Sequence, residues 1–182
     1  EIPQTVNGTQ VTGIAAGAFQ GQTAIETVTL PASVTSIGAS AFAGCSKLRS
    51  INLEQITNLG QSAFSQCTAL TTVQLGEGLT RVPESAFSGC LQLASVTLPS
   101  TVKELDKEAF YLCTSLQSLT LPEGLTAIHA GALLGCPLQA LHLPSTLEQM
   151  GDEYMGDVFE EAGQTPADTT LTHITVAESN PL

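Results

Sequence analysis

The twenty residues Val34-Thr35-Ser36-Ile37-Gly38-Ala39-Ser40-Ala41-Phe42-Ala43-Gly44-Cys45-Ser46-Lys47-Leu48-Arg49-Ser50-Ile51-Asn52-Leu53 hold the unit from which nearly the whole chain is built. At its centre is Ala-Phe-x-x-Cys. The pattern returns at Phe19, Phe64, Phe87 and Phe110, and with Leu133 in the Phe place, at successive spacings of 23, 22, 23, 23 and 23 residues. A fixed period of this length marks a solenoid, in which each repeat buries its apolar face against its neighbours and chain length counts coils rather than domains.

Residues 1–10 read as a lead-in segment, with Ile2-Pro3 and Val6-Asn7-Gly8 as a strand end and a turn. Six regular coils over 11–146 start at Val11, Val34, Ile56, Leu79, Val102 and Leu125, and a divergent seventh occupies 147–182. Each coil offers two strand-like pieces. The longer is Leu-x-x-Ile-x-Leu, as in Leu48/Ile51/Leu53 or Leu93/Val96/Leu98, whose final alternation points two side chains in and one out. Pro31, Pro99, Pro122 and Pro144 end it by removing a donor. The shorter is Val34-x-x-Ile37 and its counterparts. Between them, Gly-x-x-Ala-Phe-x-x-Cys places Ala, Phe and Cys near one side of a short helical turn. The expected fold is therefore α/β: one solenoid of about seven coils of 22–23 residues, with a stacked parallel β-sheet and short helical turns. Phe should stack on Phe and Cys on Cys near the inter-strand spacing of ~4.8 Å.

The seventh coil keeps Leu147 and Met150-Gly151, puts Met155 in the Phe place and Val158 in the Cys place, then delays its strand to Leu171. Against the usual gap of 3 residues this is an insertion of 10. The spacing of Tyr154, Met155, Val158, Phe159 and Ala162 predicts a short amphipathic helix from about Asp152.

Composition excludes several partners. Hydrophobic residues are 42% and aromatics 4%, with no Trp, so the core is aliphatic with one Phe per coil. The net charge is −12, from 17 acidic against 5 basic residues. Nucleic acid and anionic membranes both require Lys and Arg to displace counterions, so neither is an expected partner. No run of 18 apolar residues exists to insert into a bilayer.

Five cysteines, Cys45, Cys67, Cys90, Cys113 and Cys136, fall once per coil, three residues after the Phe position. Zinc sites and disulfide frameworks cluster cysteines at short, uneven spacings, whereas these read as a column of buried thiols acting as small hydrophobes. With no histidine column beside them, they offer no Cys–His pair, and no enzyme or cofactor is expected.

The outward positions of the longer strand form a polar face. Arg49, Asn52, Gln74, Thr97, Gln117, Thr120, Gln139, His142 and His173 are its candidate binding residues. The alternative is a solvated sheet in which Ser and Thr merely fill pleat positions, since no aromatic or Arg cluster marks a hot spot. His142 and His173, in adjacent coils without a nearby Cys or carboxylate, make a poor zinc site, and His129 lies apart on the shorter strand. Glu148, Asp152, Glu153, Asp157, Glu160 and Glu161 lack the ordered spacing of a calcium loop and read as a solvated acidic face. Asn7-Gly8-Thr9 matches a glycosylation sequon.

The succession Ile-Gly, Ala-Phe, Gly-Cys, Leu-x-x-Ile-x-Leu-Pro resembles the BspA-type leucine-rich repeat, with coverage from about Ile2 to Pro181 and Val34–Leu53 and Leu79–Pro99 near its consensus. The resemblance implies a bacterial secreted or cell-surface protein, of which this chain is a piece, and a non-enzymatic module for adhesion. Its implied ligand is a host matrix or cell-surface protein, or a glycan. A structural spacer presenting a separate functional domain is the other implied role. No catalytic or ligand motif transfers with the family, because the repeats specify the scaffold and leave exposed positions free. Neither ligand identity nor oligomeric state follows from it.

Overall fold

The computed structural model describes residues 1–151 and 173–177. The predicted coils are present: six complete turns of a stacked chain, followed by two strands of a further one. The lead-in is a hairpin, Thr5–Val6 antiparallel to Thr9–Gln10, closed by Asn7 and Gly8 at φ of 51° and 78°. Two successive positive φ values give the turn whose twist matches paired strands, and Asn-Gly is the dipeptide that accepts them. Ile2 packs against the core and donates its N–H to Thr29 O at 3.0 Å.

Parallel ladders run along two faces of the stack. On the short-strand face, Gly13–Ile14, Ser36–Ile37 and Asn58–Leu59 form one sheet, and Arg81–Val82, Glu104–Leu105, Ala127–Ile128 and Gln149–Met150 form a second, each in one-to-one register. On the long-strand face, Thr27–Val28 pairs with Ser50–Ile51, Thr72–Gln74 with Ser95–Thr97, and Ala140–Leu143 with His173–Val176. A single bridge, Leu53 to Leu75, joins the first two pairs. The expected stacked parallel strands are present, arranged as a set of short ladders. Coil five contributes no assigned strand on this face, and the short-strand sheet breaks where the connecting turn lengthens from Glu54-Gln55 to Gly76-Glu77-Gly78.

The expected helical turns are not there. No helix occurs among the described residues, and Ala-Phe-x-x-Cys lies in a run of tight turns. The hydrogen bonds explain why. Ala41, Ala43 and Cys45 donate to Gly38, Ser40 and Phe42 of their own coil, but Ser40, Phe42 and Gly44 donate to Gln61, Ala63 and Ser65 of the next. The same alternation holds in coil five, where Ala109, Tyr111 and Cys113 bond locally while Glu108, Phe110 and Leu112 bond to coil six. A helix needs every successive amide for its own ladder. Here each second amide crosses to the neighbouring coil, which requires positive φ at Ser40 (54°) and Gly44 (73°), and likewise at Glu108 and Leu112.

The core is the column predicted from the period. Phe42, Phe64, Phe87 and Phe110 are fully buried, and the rings from Phe19 to Phe110 stack at centroid spacings of 5.1, 5.4, 5.4 and 5.5 Å within 11° of parallel. Burying each ring contributes about 1.5–3 kcal/mol. Beside them all five thiols are unpaired as disulfides, four of them buried and Cys136 half-buried. Each donates its S–H to the carbonyl of the preceding coil's Phe position: Cys45 to Phe19 O at 3.1 Å, and on through Cys136 to Phe110 O at 3.2 Å.

Candidate functional site

The long-strand face carries the residues singled out from sequence. Arg49, Gln74, Thr97, Gln117, Thr120, Gln139, His142 and His173 are exposed, while Ile51, Val73, Val96, Leu119 and Leu141 between them point into the core. Register puts Gln74 beside Thr97, as the parallel pairing requires. Asn52 differs. It is half-buried, and its amide accepts from Leu30 N at 2.8 Å and donates to Leu30 O at 3.0 Å, so it extends the strand pairing with a side chain. Asn52 therefore secures the first coils rather than projecting from them.

The two histidines of this face are offset. His142 stands opposite Thr175, with Nδ1 at 2.8 Å from its hydroxyl, and His173 stands opposite Ala140. No carboxylate joins either of them in a group of metal-ligating side chains among the described residues. Of the acidic segment, only Glu148 falls within the described residues. The helix expected from Asp152, Met155 and Val158 in their repeat places, and the rest of the insertion lie outside them.

A second constellation lies on the short-strand face. Strand register stacks Arg81, Glu104 and Ala127 in one column, and their coils bring Asp106 and His129 beside it. Arg81 Nη2 donates to Glu104 Oε2 at 2.6 Å and to Asp106 Oδ1 at 3.0 Å, and His129 Nε2 is 4.0 Å from the same Glu104 oxygen. The paired carboxylates, Glu104 first, hold the Arg81 guanidinium more firmly charged than usual. Burial holds the Asp106 carboxyl above its ordinary value, and Arg81 offsets only part of that rise. An open cleft of about 230 Å³ adjoins the group, lined by Arg81, Glu84, Asp106, Lys107 and His129. Sequence reading noted His129 alone. The signal that gives the rest is the stacked column rather than any linear motif.

The BspA type leucine rich repeat region matches in six copies, over residues 4–113 and 53–158. The chain belongs to that family. No curated protein matches it in sequence. Among solved structures it is similar to a leucine-rich repeat protein of Eubacterium ventriosum, at 26% identity and a TM-score of 0.67 over 79% of this chain and 42% of that one. It is similar in fold to a leucine rich cell surface protein of Faecalibacterium prausnitzii, at 23% identity and a TM-score of 0.66 over 99% and 47%. A Treponema pallidum leucine-rich repeat protein matches at 25% identity and a TM-score of 0.56 over 96% and 67%. This BspA-type chain spans less than half the length of the first two.

Proposed function

We propose that this chain is a non-enzymatic recognition module of a bacterial secreted or cell-surface protein, used for adhesion to a protein ligand such as a host matrix or cell-surface protein. The observation that carries the reading is the long-strand face: Arg49, Gln74, Thr97, Gln117, Thr120, Gln139, His142 and His173 are all exposed on a backbone fixed by the buried column. Rigid spacing of polar groups lowers the ordering cost of binding. The family and the described cell-surface role of the Faecalibacterium protein support the placement. A spacer role is the second reading, favoured by the absence of an aromatic cluster among the described residues of that face.

The test is a binding screen of the purified chain against matrix proteins and glycans, repeated with Arg49, Gln74, Gln117 and His142 all changed to Ala. The reading expects a protein ligand whose binding falls at least tenfold in the quadruple variant. A ligand bound equally by both forms moves the site off this face, and no ligand at all favours the spacer.

A further inference from the structure

We propose that Glu104, Asp106 and His129 form a binding site for a divalent transition ion of the zinc class, with Arg81 as a built-in competing cation. One donor atom from each of the three residues lies within 4.8 Å of the other two. Zinc holds imidazole nitrogen and carboxylate oxygen at roughly 2.0–2.2 Å, so small rotations about the side-chain bonds close the three donors on one ion. The backbone that carries them is fixed: Asp106 N donates to Val82 O and His129 N to Leu105 O, both at 2.9 Å.

The repeat itself argues that these side chains are not scaffold. Ala15, Gly38, Gly60, Pro83, Asp106, His129 and Gly151 occupy one stacked position, each following the inward residue of its short strand. At Gly38 and Gly60 a Cβ would lie within 2.5 Å of backbone in the preceding coil. The position is elsewhere small or cyclic, and two adjacent coils place metal-ligating groups there. In the neighbouring column Arg81 and Glu104 replace Gly13, Ser36 and Asn58.

Charge shows how the site is held. Arg81 is bonded to both carboxylates, yet its side chain is 56% exposed and can swing into solvent. An entering dication replaces one positive charge with two and adds a bond to the His129 nitrogen. Imidazole suits borderline ions and not calcium or magnesium. Three protein donors leave coordination positions open at the cleft.

Calorimetric titration of the purified chain with zinc chloride near neutral pH, with cobalt(II) absorption as the spectroscopic counterpart, tests the site. One ion per chain is expected. His129→Ala and Glu104→Gln should each weaken it at least tenfold, and Arg81→Ala should tighten it several-fold. His142→Ala and His173→Ala should leave it unchanged, and calcium and magnesium should give no heat. Circular dichroism checks the fold of each variant. If His129→Ala does not fold, the shift of the His129 ring resonances by cobalt(II) in the unaltered chain reads the same contact. Absence of zinc binding, indifference to His129→Ala with no shift of its ring, or weaker binding in Arg81→Ala overturns the proposal.

Discussion

At the scale of single residues, the side chains with reactive chemistry in regular array are the cysteines, and their surroundings silence them. Burial pushes the Cys90 thiol up to about 12 from an ordinary 9.0, and burial also raises Cys67 and Cys45. Cys113 is raised as well, first by the neighbouring Cys136 thiol and then by burial. The folded chain thus keeps these protons after the unfolded chain has lost them. Their stabilising contribution is complete below about pH 9 and is lost as pH rises toward about 12 for Cys90, at up to roughly a tenfold change in the folding equilibrium per pH unit for each such thiol. Melting temperature should therefore fall steeply above about pH 9, and less steeply in Cys90→Ala. An equal slope in that variant removes the thiol from the explanation. At about pH 8 the folded chain should resist alkylation except at half-buried Cys136, and all five thiols should react in denaturant.

At the scale of the element, the sequence shows which residues face inward and hides how the backbone gets there. Ala41, Phe42 and Cys45 are buried together, as the spacing requires, but that spacing is equally met by a chain of turns. Which amides cross to the next coil is decided between coils, and no window within one coil contains that information. Strand continuity is obscured for the same reason, since it depends on the fit of neighbouring connecting turns. The Arg81, Glu104, Asp106 and His129 group was missed because its members come from three successive coils and become neighbours only through stacking. The polar face was legible because pleat alternation alone gives it; the inward duty of Asn52 was not.

Two glycines separate the demands made on an element. Gly44 has φ of +73° with the nearest atoms to an added Cβ at 3.6 Å, whereas at Gly60 that atom would lie 2.3 Å from Ala39 N. Gly44→Ala should cost about 1–2 kcal/mol through conformation alone. Gly60→Ala should cost about 3 kcal/mol or more, because backbone must move. Denaturant titration orders the two, and a reversed order refutes the close approach at Gly60.

At the scale of the molecule, contacts between nearest neighbours make each coil a replaceable unit. Deleting Ile56–Gly78 joins Gln55 to Leu79 in the place of an equivalent junction and brings Phe42 against Phe87. The shortened chain should fold cooperatively, with a denaturant slope lower by about an eighth, in proportion to surface lost. Collapse to an unfolded chain would mean that the coils are not interchangeable. Zinc binding should survive, since the four residues concerned lie in later coils.

The alternating amides of the turn side have an electrical consequence. Ser40, Phe42 and Gly44 all point their N–H groups toward the next coil, as do Glu108, Phe110 and Leu112, so the crossing peptides align along the solenoid axis in one sense. Aligned peptide dipoles of about 3.5 D add rather than cancel. The turn-side column is polarised in one sense, and the short-strand face runs the other way, with Gly38, Asp106 and His129 donating to Ile14, Val82 and Leu105 of the preceding coil. The two faces of the solenoid thus carry opposed peptide dipoles, and a backbone that continues the stack must match both senses, which it can do in only one direction.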